Sequence, residues 1–448
     1  MNLLDSLYRD SKMDKIWSLD STISYWLKVE SELAGALADA QVISRNDAEA
    51  ISKACSQGNI DTARLIRESA NVGYPIVSLI SMVCESLSAE QAGKVHWGAT
   101  TQDIMDSALV LQIRDSLKHV LELQVQFGNC LSDLAQKHAK TVMAGRTHGK
   151  QATPTTLGAK CAVFLDQVVG DRRRLLNSYS SISIVSLHGA VGTSAALYPH
   201  GERVRGALAA RLNLENKTIP WHVNRSAVIE VGDAVSACLQ TLTRLAREII
   251  DLSRTEIAEV SEASSQYKGA SSTMPQKANP IESESIIGFG ISGSTHVQAL
   301  HRASEAGHER SAGEWQIEWR VLPDVFTCVA AALTLAISAT KNLQVFPDQM
   351  VKNCALDGGL LLAEAAMMHV APRMGRDQAH KLLYEVCRDT RKLNENFERS
   401  LRAHLGEKFD GLFMDFSFDP SNHVGDASRV ALEGVRIWSV SKADSNPI

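Results

Sequence analysis

The chain has 448 residues, of which 44% are hydrophobic and 22% charged, and its formal net charge is −5. Such a length buries a large core, and about 100–200 residues per domain suggests two or three domains. The mild negative charge argues against nucleic acid or a membrane surface as partner, and no uninterrupted apolar run approaches the ~20 residues of a membrane span. The first residues, Met1-Asn2-Leu3-Leu4-Asp5, lack the basic-then-apolar order of a signal peptide. Eight cysteines are scattered without a Cys-x-x-Cys pair or a His/Cys cluster. That pattern reads as reduced, mostly buried thiols in a cytoplasmic protein, with neither a disulfide framework nor a metal site.

Only 11 prolines and 5% aromatic residues, with abundant Ala, Leu, Glu and Arg, favour an all-α fold. Residues 14–41 carry Ile16, Trp17, Ile23, Trp26, Leu27, Leu33 and Leu37 at helical spacing, and turn signals such as Asn71-Val72-Gly73-Tyr74-Pro75 then divide the rest into shorter helices. From Asp103 to Met143 there is no proline and one glycine, Gly128, so this stretch predicts a very long helix, apolar on more than one side. Further long helices fit 155–179, 226–262, about 280–303 and about 323–341. Five such helices imply a long bundle, and their several apolar faces imply packing against copies of the same chain. Shorter helices return over 346–448, with a turn at Asp419-Pro420-Ser421-Asn422, and the chain from Lys442 to Ile448 is expected to be disordered. The expected organisation is therefore an N-terminal helical domain (1–100), a central long-helix bundle (101–345) and a C-terminal helical domain (346–448).

Three polar segments interrupt this pattern at presumed helix ends. In His96-Trp97-Gly98-Ala99-Thr100-Thr101-Gln102-Asp103, hydroxyl and amide groups stand free in a loop or first helical turn; a hydroxyl-rich N-cap is the plainer reading. Gly145-Arg146-Thr147-His148-Gly149-Lys150-Gln151-Ala152-Thr153-Pro154 sets a histidine among basic and hydrogen-bonding groups before a helix resumes. His148 suits acid–base work near neutrality, and a solvated basic turn is the alternative. The third is Gly269-Ala270-Ser271-Ser272-Thr273-Met274-Pro275-Gln276-Lys277-Ala278-Asn279-Pro280-Ile281-Glu282-Ser283-Glu284. Asn279 reads as an N-cap, Pro280 as the first helical residue and Glu282 as its capping partner. A helix start preceded by a lysine favours a bound carboxylate, although a polar loop that merely caps a helix satisfies the same cues. Two weaker signals are the turn His188-Gly189-Ala190-Val191-Gly192-Thr193 and the arginine of Glu309-Arg310-Ser311. No Walker loop, dinucleotide fingerprint, hydrolase triad order or HExxH is present, which removes most cofactor-dependent classes. Acid–base chemistry on a small anion remains.

At these segments the chain resembles the fumarase/aspartase superfamily. The signature Ser-Ser-x-Met-Pro-x-Lys-x-Asn with a downstream Glu is matched by Ser271, Ser272, Met274, Pro275, Lys277, Asn279 and Glu284. The segment from His96 through Gln112, Pro220-Trp221-His222, and His308-Glu309-Arg310 with Trp315, Glu318 and Trp319 look like the 3-carboxy-cis,cis-muconate cycloisomerase branch. Arg146-Thr147-His148-Gly149 with Ala152-Thr153-Pro154 is closer to lyases of succinyl compounds. The resemblance implies an all-α, three-domain fold whose central five-helix bundle builds a homotetrameric twenty-helix core, with each active site collected from three subunits. It implies Ser271 as the base that removes a proton beside a carboxylate, and His148 as the donor to the leaving group. Thr100, Thr101, Ser272, Lys277 and Asn279 would bind a small polycarboxylate substrate, with Gln151 and Arg310 as further candidates and with no cofactor or metal.

Two departures stand inside the signature loop: Ala278 where the near branches usually carry Arg, and Ala270 where Ser is usual. The order Tyr8-Arg9 and the lack of a histidine over 64–80 disfavour a housekeeping adenylosuccinate lyase. The leading expectation is a β-elimination lyase cleaving a C–N or C–O bond of a succinyl-type substrate. The alternatives are a lactone-forming or lactone-opening cycloisomerase and a non-catalytic, crystallin-like relative.

Overall fold

A computed structural model describes residues 7–57, 60–262 and 268–443. Five long helices dominate it: α1 (Thr101–Lys137), α2 (Leu157–Ile182), α3 (Ser226–Ser253), α4 (Ile281–Ala303) and α5 (Glu314–Lys341). They are the five that periodicity predicts, with shifted boundaries. The first does not run on to Met143, because residues 138–141 turn into a strand. The third ends at Ser253 rather than near 262. The last begins at Glu314 and carries Pro323 inside it. Proline disfavours a helix interior, but Trp315, Leu322, Val325 and Phe326 are all buried along this helix, and that packing overrides local propensity. Helix α5 is long and apolar enough to cross a membrane by length and composition, and 61% of its most apolar stretch is buried inside the protein.

The segment expected as a polar turn before a helix is a β-hairpin. Strand β1 (Val142–Thr147) pairs antiparallel with β2 (Lys150–Thr156), with Thr147 opposite Lys150 and Arg146 opposite Gln151. The two-residue connection His148-Gly149 has φ of 52° and 73°, the doubly left-handed turn whose twist matches a hairpin. Pro154 therefore sits in a strand, and the helix resumes only at Leu157. A second, minimal pair joins β3 (Val260–Ser261) to β4 (Gln344–Val345).

Packing divides the chain into two compact units, Met1–Leu123, Asp171–Gln240 and Gly288–Thr334 in the first, and Gln124–Gly170, Thr241–Ile287 and Leu335–Ile448 in the second. The boundaries fall within the long helices, so the first unit holds the 1–100 segment with parts of the central one, and the second holds the remaining central parts with 346–448. In the first unit, Val110, Ile113 and Leu117 of α1, Val231, Val235 and Leu239 of α3, and Val325 and Val329 of α5 are fully buried. Their three- and four-residue spacing makes the apolar stripes of packed helices. In the second unit, Gly128 of α1 faces the indole of Trp438, and a Cβ there would overlap that ring. An aromatic cluster of Phe397, Phe409, Phe413 and Phe416 closes its C-terminal part. Lys442 belongs to a helix, Ala427–Ala443, against the expectation of disorder there; residues 444–448 lie outside the described residues.

Candidate active site

In the first unit, the Thr100–Thr101 segment is organised by Asp103, which is fully buried. Its Oδ1 accepts hydrogen bonds from the Ser186 hydroxyl (3.1 Å), the His188 amide (2.9 Å) and His222 Nε2 (2.8 Å). Its Oδ2 accepts from the amides of Thr100 (3.1 Å) and Gly189 (2.9 Å). Burial raises a carboxyl pKa, yet the hydrogen bond and charge of His222 and these amides outweigh it and hold Asp103 below its ordinary value. Burial pushes His188 the other way, down, which favours its neutral form. Asp103, His188 and His222 lie close enough to share an ion, but the Asp103 oxygens already accept five donors. The donor set thus fits a hydrogen-bonded knot better than a metal centre.

Arg310 completes this face of the unit. It donates to Thr100 Oγ1 (3.1 Å) and to the Ala190 carbonyl (3.0 Å). The two weaker sequence signals, at 188–193 and 309–311, therefore converge on Thr100. Gln102 is not free as expected: its side chain is buried and donates to Asp106 (3.1 Å) and to the His222 carbonyl (2.9 Å). Beneath it, buried Arg225 forks between Asp106 (2.8 Å) and Glu318 (2.5 Å). Burial disfavours this charge, but the two carboxylates outweigh it and keep the guanidinium protonated. At the start of the segment, His96 Nδ1 meets Glu30 at 2.6 Å. Burial lowers the imidazole pKa, while the hydrogen bond and charge of Glu30 raise it by more, so it lies above its ordinary value.

The second unit holds the other predicted residues. His148 stands exposed at the hairpin tip, in a left-handed conformation that a side chain rarely adopts. Further along β2, Gln151 Nε2 donates to the Asn353 carbonyl at 2.8 Å, and its Oε1 is buried without a partner among the described residues. The serine loop folds back on itself. Ala270 bridges Ala278, and the Gly269 carbonyl accepts both the backbone amide (2.8 Å) and the side-chain amide (3.1 Å) of Asn279. Gly269 has φ 69°, and a Cβ there would meet the Asn279 carbonyl oxygen. Within the loop, Ser271 Oγ accepts from the amides of Thr273 (3.2 Å) and Met274 (3.0 Å). Two N–H groups aimed at one hydroxyl oxygen favour its anion. Ser272 and Lys277 are exposed.

The helix after the loop is capped differently from the expectation. It begins at Ile281, and its first amides, those of Glu282 (3.1 Å) and Ser283 (2.8 Å), donate to the buried carboxylate of Glu262. Asn279 is drawn to Gly269 by the neck of the loop and is not the cap. Glu282 instead pairs with Lys268 at 2.9 Å and accepts from Ser338 at 2.6 Å. The chain's own Glu262 thus occupies the anion position that the sequence suggested for a ligand. Residues 263–267 lie outside the described residues.

A family model described as a lyase matches residues 8–292. The chain belongs to the fumarase/aspartase superfamily. Among its relatives in this superfamily, trans-aconitate decarboxylase 1 of Mycosarcoma maydis is 34% identical over 95% of this chain and 87% of that one. N-acetyl-S-(2-succino)cysteine lyase of Dickeya dadantii is 30% identical over 97% of this chain and 96% of that one. The crystal structure of 3-carboxy-cis,cis-muconate lactonizing enzyme from Pseudomonas putida superposes with a TM-score of 0.90 at 33% identity, covering 98% of this chain and 99% of that one. The fumarase/aspartase-like all-α fold and the lyase class expected from the signature loop are thus those of its relatives.

Sequence reasoning missed Asp103 as an organiser, together with Glu259, Glu262 and Asn353. Asp103 and Asp106 do carry a signal: two acids three residues apart at the start of a long helical run. Glu259 and Glu262 carry none, because nothing local distinguishes a buried acid from a solvated one.

Proposed function

We propose that this superfamily member catalyses β-elimination on a polycarboxylate, with Ser271 as the base. The observation that carries this reading is the pair of backbone amides on Ser271 Oγ. Before turnover the hydroxyl gives up its proton to solvent water, and the alkoxide is favoured by those amides and by the ammonium of Lys277 brought near. The alkoxide takes the proton from the carbon beside a substrate carboxylate. The electron pair passes into the carboxylate, then forms the new carbon–carbon double bond as the C–N or C–O bond to the leaving group breaks. His148 supplies the proton that the leaving group needs, so that an unsaturated acid and a neutral product depart. Thr100, Thr101, Ser272, Lys277 and Asn279, with Gln151 and Arg310, are assigned to the substrate carboxylates. In this reading each site is assembled from three copies of the chain. The relatives named above act, by their names, on trans-aconitate, an N-acetyl-S-(2-succino)cysteine and a carboxymuconate, all of which carry several carboxylates.

A second reading, lactone formation or opening on a carboxymuconate, is favoured by the likeness to the lactonizing enzyme. It moves the same proton but uses a leaving group within the substrate. The two are separated by a panel of N- and S-substituted succinates, trans-aconitate and carboxymuconate lactone, followed by ultraviolet absorbance of the unsaturated acid. Turnover of a succinyl adduct and not of the lactone is expected. In Ser271→Ala it falls by at least about 100-fold, the scale of losing one group that holds transition-state charge. Undiminished turnover in that variant would remove Ser271 from the role of base.

A further inference from the structure

We propose that Glu259 and Asn353 form a clamp that aims the His148 hairpin, making both positioning residues for the proton transfer at His148. The inference rests on the reading of His148 as a proton donor. A two-stranded hairpin is marginally stable by itself, and this one carries its histidine at an exposed tip with only one residue pair, Thr147 and Lys150, between the tip and the pair Arg146 and Gln151. The clamp grips both members of that second pair. On β1, the Arg146 guanidinium forks onto Glu259, Nη1 to Oε2 at 2.9 Å and Nη2 to Oε1 at 2.6 Å. On β2, Gln151 Nε2 donates to the Asn353 carbonyl at 2.8 Å.

The two jaws are joined to each other. Asn353 Nδ2 donates to Glu259 Oε1 at 2.8 Å and to the Ile257 carbonyl at 2.7 Å, and Asn353 Oδ1 accepts from Gln349 at 2.8 Å. Glu259 is fully buried and Asn353 is 1% exposed. The Glu259 backbone is fixed on both sides, its N–H to the Leu252 carbonyl (2.9 Å) and its carbonyl to the Phe346 amide (3.0 Å). A bidentate pair with a buried carboxylate is demanding in geometry and costly to break on one side, so the hairpin is held in one orientation a single residue pair from its tip. Three residues beyond Glu259, Glu262 caps the helix that follows the serine loop. The short segment 257–262 therefore holds both the tip end of the hairpin and the far boundary of the Ser271 loop. Small displacements of a reacting group, on the order of 1 Å, reduce rates by about 100-fold.

The test compares the full-length wild type with Glu259→Gln, which keeps the shape but removes the charge, and with Arg146→Lys, which keeps the charge but loses the fork. Hydrogen exchange followed by mass spectrometry reads the hairpin without any substrate. In both variants the amides of residues 144–153 are expected to exchange at least about tenfold faster, while those of the aromatic cluster around 397–418 keep the wild-type rate. On whichever member of the carboxylate panel turns over, kcat is expected to fall about 10- to 100-fold with KM changed less than about threefold. Unchanged exchange over 144–153, or acceleration spread evenly through the protein, would overturn the clamp. So would a loss confined to KM. A wild type that turns over no panel member would count against the proposed function, and the exchange comparison would still decide the clamp by itself.

Discussion

Asp103 and His96 flank Thr100 and Thr101 in the chain and answer to pH in opposite directions. Asp103 has a lowered pKa, so its contribution to stability is present above the ordinary carboxyl value and is lost as pH falls through the lowered one. His96 has a raised pKa, so the Glu30–His96 pair contributes fully below the unfolded value of 6.5 and its contribution disappears as pH rises through the folded one. Thermal unfolding should therefore show the wild type ahead of His96→Gln by a margin that shrinks as pH rises above the unfolded value of 6.5. A margin that grows over that window would contradict the assigned charge. His148 could be singled out from its neighbours in the sequence, whereas His96, His188 and His222 could not be ranked, because their roles depend on Glu30, Lys217 and Asp103, which are remote in sequence.

Among the elements, the long helices were legible because an apolar period sustained at helical spacing fits a helix and little else. The hairpin was not. Its strands are short, its threonines and proline suit a turn equally, and the left-handed His148-Gly149 connection shows only in the backbone. The signature loop was legible as a motif but its capping was not, since Asn279 follows the helix-start pattern yet its amide bonds Gly269. Glycine in the middle of α1 invites a second test. On propensity, Gly128→Ala should stabilise the helix by up to about 1 kcal/mol. Overlap of the new methyl with Trp438 should instead dominate and destabilise by about 1–3 kcal/mol, seen as a lower unfolding midpoint. A raised midpoint would show that the indole, held by its bond to Asn129 at 3.0 Å, moves aside freely.

For the whole molecule, the apolar faces of the long helices and the superfamily resemblance lead to the same expectation, a homotetramer with sites shared between chains. Light scattering of the native protein should give the mass of four chains. A stable, fully active monomer would contradict the shared site. Length, composition and helical period by themselves determined the class of fold, because burying so many evenly spaced apolar residues leaves a long-helix bundle as the economical solution. The Ser271–Glu284 motif pointed to the superfamily through its resemblance to the family signature, since its physical cues by themselves also fit a polar loop that caps a helix. Only the tertiary structure decided which acids organise the Thr100–Thr101 segment in one unit and the hairpin and serine loop in the other. Asp103, Glu259 and Glu262 become distinctive when the fold removes them from water, since a buried carboxylate must gather donors from wherever the chain returns, and no local pattern records where that is.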